Sequence, residues 1–260
     1  MTTYKICKAF TDLKPKHQIG LILAFAFILR LLVSLQTPYP SRDAYMYLSL
    51  AEFYHTGNTA QIADTHPWMP PLYSLVLCGL MKFSFSVETA ALIVSMLGSF
   101  VILLSAYAIT MILTKKHHLA LIALFFVAIH RDMIEGASAV EREALYYPLI
   151  SLTLVLIVKA FSEHIRPSFL FSSFLLAGLA YTCRQEALQL VIILPIIIGF
   201  LFYSDRKQCK KITTLSPLLI FVFFLPSLIL SQFINESMGS QWDPLNKQRT
   251  QLLLDNLRGK

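Results

Sequence analysis

Charge is scarce in this sequence. Only 14% of its 260 residues are Asp, Glu, Lys or Arg, whereas 56% are hydrophobic. A water-soluble domain of this size cannot bury so much apolar surface, because its exterior has to be largely polar. The composition therefore excludes a soluble globular protein and predicts a polytopic membrane protein.

Several short motifs are also missing. The nine glycines form no phosphate-binding loop or dinucleotide fingerprint, and neither HExxH nor GxSxG occurs. The four cysteines show no CxxC pairing or metal-ligand spacing. The net charge of +7 is not arranged as a basic stripe interleaved with aromatics, so no nucleic-acid partner is predicted.

What the sequence does contain is a series of long apolar runs. A bilayer core is crossed by about 20 apolar helical residues, and we predict an all-α membrane protein with about seven transmembrane helices. The first run continues past the usual length of a signal peptide and lacks a small-x-small cleavage site, so we expect it to remain as a helix. The runs lie near residues 17–36, 88–113, 119–131, 144–161, 168–182, 187–204 and 213–234.

The topology depends on residues 68–86. Lysines within residues 1–16 precede the first run, and the positive-inside rule places them in the cytoplasm. If residues 68–86 crossed the membrane, Lys115-Lys116 and the basic cluster at 206–211 would face outward, against the rule. We therefore predict that residues 68–86 form an interfacial helix started by Pro70-Pro71.

A polar segment, residues 41–58, follows the first run and is too charged to cross lipid. Its pattern predicts an amphipathic surface helix that begins near Asp43 and stops at Gly57-Asn58, where glycine can take a left-handed conformation. Asp43 either caps this helix or offers a carboxylate at the mouth of the protein, and the two roles are compatible.

Residues 131–143 form a second predicted outer segment that carries Asp132, Glu135, Glu141 and Glu143. These acids either face water in a solvated loop or belong to a functional site. Glu143 directly precedes an apolar run, so it also fits simple compensation of a helix dipole.

The third outer element is the tight connection LAYTCRQEALQL, in which Arg184 and Glu186 interrupt two apolar runs. Charges at such a depth are costly unless they are paired or used. Arg184 either pairs with an acid or offers its planar fork to an anion such as phosphate. Arg30, inside the first run, is expected to snorkel or to meet an acidic partner.

Four segments in order resemble the membrane glycosyltransferases with the C-type fold, in the branch that contains protein O-mannosyltransferases and lipopolysaccharide sugar transferases. The likeness spans about residues 18–205. It rests on D-x-x-x-Y-x-x-x-A (Asp43, Tyr47, Ala51), HPWMPPLYSLVL, VEREALYYPLISL and AGLAYTCRQEALQLV.

This resemblance implies a C-type core with interfacial helices in the first outer loop. It also implies a polyprenyl-phosphate-linked sugar as donor, a lipid, glycan or protein hydroxyl as acceptor, and inversion at the anomeric carbon. The expected location is the bacterial inner membrane, with the active site facing outward. Residues 1–235 would form the transmembrane domain and residues 236–260 a polar outer tail.

The resemblance also implies roles for individual residues. Asp43 would be the general base, and Arg184 would stabilise the departing phosphate. Glu143, or Glu141 in its place, would position the acceptor or a divalent metal, although no ligand set has a diagnostic spacing. Further expected substrate-binding residues are Tyr47, Tyr45, Glu186 and His66, the last of which is otherwise a lone surface histidine.

Family members usually continue well beyond 260 residues, with more spans and an outer domain. A short form, a truncated product or half of a split enzyme would explain the difference. The alternative function is therefore a catalytically incomplete scaffold, or a lipid or sugar transport component, with the same fold.

Overall fold

A computed structural model describes residues 11–36, 42–58, 69–162 and 166–238, and within these ranges every regular element is helical. The apolar runs of the sequence all coincide with helices, because lipid leaves the backbone no other local way to satisfy its hydrogen bonds. The α-helices are α1 (Pro15–Ser34), α2 (Arg42–Thr56), α3 (Leu72–Met81), α4 (Val87–Thr114), α5 (His117–Ile129), α6 (Arg131–Glu135), α7 (Glu143–Phe161), α8 (Pro167–Tyr181), α9 (Gln189–Ser204) and α10 (Arg206–Met238), with a 3-10 turn at Gln185–Leu188.

Four helices, α1, α4, α7 and α10, are long and apolar enough to cross a membrane. Helices α3, α5, α8 and α9 are apolar but shorter. Large apolar side chains on α1, including Phe25, Ile28 and Leu32, are exposed, as lipid-facing residues should be. The prediction of a helical membrane protein is confirmed, while the count of seven spans stays a prediction.

The segment after α1 is helical, as predicted. Helix α2 begins at Arg42 and ends at Thr56, and Gly57 adopts a positive φ of 69°. Asp43 lies within the first turn, where an acidic side chain is favoured by the helix dipole. Helix α3 has ten residues, so it is about 15 Å long. This is half of a bilayer core, which fits an interfacial helix.

Packing places α4 at the centre of the bundle, in contact with α3, α5 and α7, while α8 lies between α7 and α10. One apolar cluster joins α2, α3 and the start of α4, a second joins α8, α9 and α10, and a third joins α1, α4 and α5. The start of α7 and the end of α8 therefore meet at the same end of the bundle as α2 and α3.

Arg30 differs from its prediction. Its side chain is completely buried, so it does not snorkel, and among the described residues it pairs with no acid. It donates instead to Ser99 Oγ, to the Ala26 carbonyl at 3.2 Å and to the Ala128 carbonyl at 3.0 Å. Backbone carbonyls and a hydroxyl thus hold α1, α4 and α5 together around one guanidinium.

Helices α8 and α10 approach closely at Gly178. A Cβ atom on this residue would lie 2.1 Å from the Phe223 carbonyl oxygen. The obstacle is backbone, so it cannot rotate away, and only a glycine permits this contact.

We expect Gly178→Ala to lower the free energy of unfolding by about 2 kcal/mol through overpacking. For a domain of this size the midpoint should fall by about 4 to 8 °C. The measurement is thermal unfolding of detergent-purified protein with a thiol-reactive fluorophore, which would report on the buried free thiols of Cys78, Cys183 and Cys209.

Gly199→Ala is the matched control, because an added Cβ there meets nothing within 4 Å. It should be neutral or stabilising through helix propensity alone. Equal midpoints for the two variants would show that the close contact of α8 with α10 is not formed.

Candidate functional site

An ion pair between two distant segments is the centre of the candidate site. Arg184 Nη1 donates to Glu143 Oε1 at 2.6 Å, and both side chains are about a quarter exposed, at 27% and 26%. Glu143 is the first residue of α7, and Arg184 precedes the 3-10 turn that follows α8. Because α7 packs along α8, the two termini are neighbours. Of the two roles predicted for Arg184, pairing with an acid is therefore present in the structure.

Glu186 lies on the other side of the guanidinium, with its Oε2 atom 3.1 Å from Arg184 Nε. Partial burial raises the pKa of Glu186, but its backbone N–H and the Arg184 guanidinium outweigh burial, so that pKa lies below the ordinary value. Arg184 is thus held between two carboxylates. Its Nη2 group contacts no acceptor among the described residues and keeps two N–H donors for a ligand.

Arg142 connects this pair to α2. Its Nε atom lies 3.6 Å from Glu143 Oε1, and its guanidinium lies 5.9 Å from the centroid of the Tyr47 ring. Burial raises the pKa of Tyr47 to about 12, although the Arg142 charge opposes this shift. Tyr47 is therefore neutral, and its hydroxyl can donate a hydrogen bond.

The segment with the two prolines fixes the geometry between α2 and the Arg184 turn. The backbone N–H of Leu72 donates to the Thr182 carbonyl at 3.3 Å, and Ser74 Oγ donates to the Tyr47 carbonyl at 3.0 Å. Tyr73 is completely buried and packs edge-on against Tyr47, with ring centroids 5.7 Å apart. The start of α3 thus joins two of the segments that carry site residues.

Asp43 stands exposed one helical turn before Tyr47, on the same face of α2. Besides burial, the charges of Glu143 and Asp43 both raise the pKa of Tyr47, so both acids lie near its hydroxyl. Tyr45 is 54% exposed and, two residues from Tyr47, points away from this cluster. His66, the other expected binding residue, lies outside the described residues.

The second acidic segment divides into two parts. Glu135 faces outward and pairs with Arg131 at 2.7 Å, as an ordinary solvated helix pair would. Asp132, Glu141 and Glu143 border a cavity beside α4. Within the parts of the chain that the structure describes, no group of three or more His, Cys, Asp or Glu residues is placed to hold a metal ion.

Sequence reasoning missed two contributors, Arg142 and Tyr73. Arg142 stands directly before Glu143 in VEREAL, and a charge beside a predicted site acid was the available signal. Tyr73 belongs to the PPLY segment, but its burial depends on packing against Tyr47, 26 positions earlier in the chain. No local pattern reveals such a contact.

Taken together, the fold and these contacts define an integral membrane protein with charged groups gathered at one end of its helix bundle. An arginine held by two carboxylates can receive an anionic group, and a nearby exposed carboxylate can take a proton.

The family model described as dolichyl-phosphate-mannose-protein mannosyltransferase matches residues 66–230. The match covers more than half of the chain, and the protein belongs to this family of membrane glycosyltransferases, which use polyprenyl-phosphate-linked sugar donors. The family resemblance predicted from the sequence is therefore confirmed. The matched region includes Glu143 and Arg184, whereas Asp43 precedes it. No curated protein and no solved structure matches the chain.

Proposed function

We propose that this protein transfers a hexose or pentose from a polyprenyl-phosphate donor to a hydroxyl of a lipid, glycan or protein. The observation that carries the proposal is the 2.6 Å pair of Arg184 with Glu143, which lies beside Tyr47 and the first turn of α2. Three segments that are far apart in sequence thus supply an anion-binding group, an orienting acid and an exposed acid at one place.

Arg184 is the proposed partner of the donor phosphate. Its Nη1 group donates to Glu143, and its Nε atom lies 3.1 Å from Glu186 Oε2 without a hydrogen bond of good geometry, so two carboxylates restrain the guanidinium. The free Nη2 donors then point at a defined position. As the sugar leaves, negative charge grows on the phosphate oxygens, and fixed donors stabilise that charge without reorganising.

Asp43 is the proposed general base. The acceptor oxygen attacks the anomeric carbon from the face opposite the phosphate, and the bond between that carbon and the phosphate oxygen breaks. Polyprenyl phosphate leaves with the electron pair, and Asp43 takes the acceptor proton. The exposed position of Asp43 suits this role, because the acceptor must reach it from outside the bundle.

We further propose that the site faces outward from a bacterial inner membrane, in a C-type core of about seven spans. The basic residues support this orientation, because an interfacial α3 leaves the lysines before α1, Lys115-Lys116 and the 206–211 cluster on the cytoplasmic side. Residues 236–260 would then lie outside. The lipid tail of the donor would occupy an apolar groove between spans, where each buried CH₂ contributes about 0.8 kcal/mol.

A second candidate is a catalytically incomplete scaffold or transport component of the same fold. It is favoured by the tight pairing of Arg184, because an arginine held by two acids can also serve structure alone. This candidate predicts a folded protein that binds polyprenyl phosphate, or nothing, without transfer.

Transfer of radiolabelled sugar by the purified full-length chain tests the proposal. The donors are a panel of polyprenyl-phosphate hexoses and pentoses, and the acceptors are extracted membrane lipid and protein. We expect label to move from one donor to an acceptor fraction in an enzyme-dependent manner. Donor binding without transfer from any member of the panel would reject the enzyme and favour the incomplete form.

A further inference from the structure

The cavity beside α4 adjoins the Glu143–Arg184 pair. It is enclosed by α4, the 131–143 segment and the start of α7, and its volume is about 320 Å³. This is near the lower limit of small-molecule sites, which hold from about 300 to 1,000 Å³. The cavity therefore has room for one ring-sized group. Its polar lining comprises Ser95, Ser99, Asp132, Glu141, Glu143 and Tyr147.

Ser99 carries an unused donor at this cavity. Its side chain is only 7% exposed, and its oxygen accepts a hydrogen bond from the buried Arg30 guanidinium. The hydroxyl hydrogen meets no acceptor among the described residues. Because the group that donates to the Ser99 oxygen is positively charged, it polarises the Ser99 O–H bond. The Ser99 hydroxyl is therefore a stronger hydrogen-bond donor. A buried donor left without a partner is costly, and a ligand oxygen would satisfy it.

Most of the remaining polar lining accepts hydrogen bonds, whereas the Tyr147 hydroxyl can also donate. Ser95 donates its own hydrogen to the backbone carbonyls of Ala91 or Ala139, at 3.0 and 2.7 Å, so its free lone pair is an acceptor. Asp132 and Glu141 add carboxylates, and Glu143 adds the acid that also holds Arg184. The lining thus combines a donor in the wall with acceptors around it.

We infer that this cavity binds an uncharged, hydroxyl-bearing ring, as in a sugar, and that it is the acceptor subsite of the transferase. A hydroxyl can accept from Ser99 and donate to a carboxylate at the same time. An anion would face the carboxylates of Asp132 and Glu141, while Glu143 is already paired with Arg184, and no lysine or arginine lines the cavity in the described part of the chain. An ammonium group would leave Ser99 without an acceptor. The Tyr147 ring supplies an apolar face for the ring carbons.

The assignment as acceptor subsite rests on the proposed function, whereas binding of the ring does not. Glu143 belongs to both the cavity and the arginine pair, so a ring in the cavity would lie next to a donor phosphate at Arg184. The hydroxyl of the sugar acceptor and the phosphate-linked sugar donor would then lie next to each other, with the Glu143 carboxylate between them.

The test is saturation-transfer NMR on the full chain in nanodiscs, with methyl β-D-glucopyranoside and methyl β-D-glucuronide as probes. The probes differ only in that a carboxylate replaces a CH₂OH group. We expect the glucopyranoside to bind at least about tenfold more tightly, because like charges at a site cost several kcal/mol.

Ser99→Ala should weaken glucopyranoside binding about fivefold, which is the loss of one hydrogen bond. Ser105→Ala is its matched control, because Ser105 is also a buried serine of α4 but does not line the cavity. Asp132→Asn should at least roughly triple the affinity for the glucuronide by removing one repelling charge. Its control is Glu135→Gln on the same short helix, whose acid faces outward.

Equal binding of the two probes, or binding of neither, would overturn the inference. So would a Ser99→Ala variant that remains folded and binds as the parent does, or an Asp132→Asn variant with unchanged selectivity. Polyprenyl phosphate binding is measured in parallel. If it persists while neither glycoside binds, the acceptor subsite fails and the proposed donor site stands. If glycoside binding persists without polyprenyl phosphate binding, the proposed function fails instead.

Discussion

Replacing Arg184 with alanine is expected to lower the affinity for polyprenyl phosphate about 100-fold, since truncating one partner of a hydrogen-bonded charge pair costs about 2 to 5 kcal/mol. It should also abolish detectable sugar transfer, since losing one fixed donor to a developing oxyanion costs roughly 10² to 10³ in rate. The variant removes the Nη2 donors proposed for the phosphate. It also leaves Glu143 part-buried beside Arg142 alone, so negative charge remains where the phosphate should bind. Both effects lower the affinity for polyprenyl phosphate.

Three further variants separate binding from folding. Arg131→Ala removes a solvated arginine whose one salt bridge within the described residues is to Glu135, and it should behave as the parent does. Arg184→Lys keeps the charge but not the planar fork, so its affinity should be intermediate. Arg184→Ala combined with Glu143→Gln removes the stranded charge and should recover folding stability without recovering transfer. Full transfer by a folded Arg184→Ala protein would remove Arg184 from the mechanism.

Asp43→Asn is expected to reduce the turnover rate by about 10² to 10⁴, the usual contribution of a general base. The amide is close in size to the carboxylate but cannot accept the acceptor proton. Asp43 is exposed and is not one of the two carboxylates that contact Arg184, so donor affinity should change less than twofold. The measurements are single-turnover transfer and equilibrium binding of polyprenyl phosphate.

Glu52→Gln is the matched control for Asp43→Asn. Glu52 is an exposed acid on the same helix α2, and its replacement should leave both quantities unchanged. An Asp43→Asn protein that transfers sugar at the parental rate would exclude Asp43 as the base. Loss of donor binding in this variant would instead assign Asp43 to the donor site.

The helices could be predicted from the sequence because their signal is local. Each apolar run corresponds to a helix, and the stop at Gly57 follows from its left-handed conformation. The number of transmembrane spans depends on more than the local sequence. Helices α3, α5, α8 and α9 are shorter than a bilayer core requires on their own, so hydropathy alone does not decide which of them cross.

The site was predictable as a set of outer segments but not as a set of contacts. Arg184 and Glu143 were each identified from charge beside an apolar run, and the structure brings them together. Arg30 was expected at an acid or at the surface, yet its side-chain partner is a serine 69 residues away on α4. A hydroxyl and two backbone carbonyls leave no charge pattern in the sequence, so only the packing of three helices reveals them.

The cavity beside α4 was not predictable for the same reason. In the sequence, Asp132, Glu135 and Glu141 all fit the acids of a solvated loop. Glu135 does face outward, as such an acid would. What distinguishes Asp132 from Glu135 is the position of the short helix α6 against α1 and α5. The contact of α6 with α1 joins residues about 100 positions apart.

Photo-crosslinking of the donor lipid would show where its phosphate binds. A polyprenyl phosphate with a diazirine close to the phosphate is bound to the full chain in nanodiscs, irradiated, and mapped by mass spectrometry with and without excess unlabelled lipid. We expect competed crosslinks within residues 142–147 and 181–187, around the Glu143–Arg184 pair. Crosslinks confined to the apolar groove formed by Ile22, Leu121 and Phe125, with none at the arginine pair, would contradict the proposed donor site.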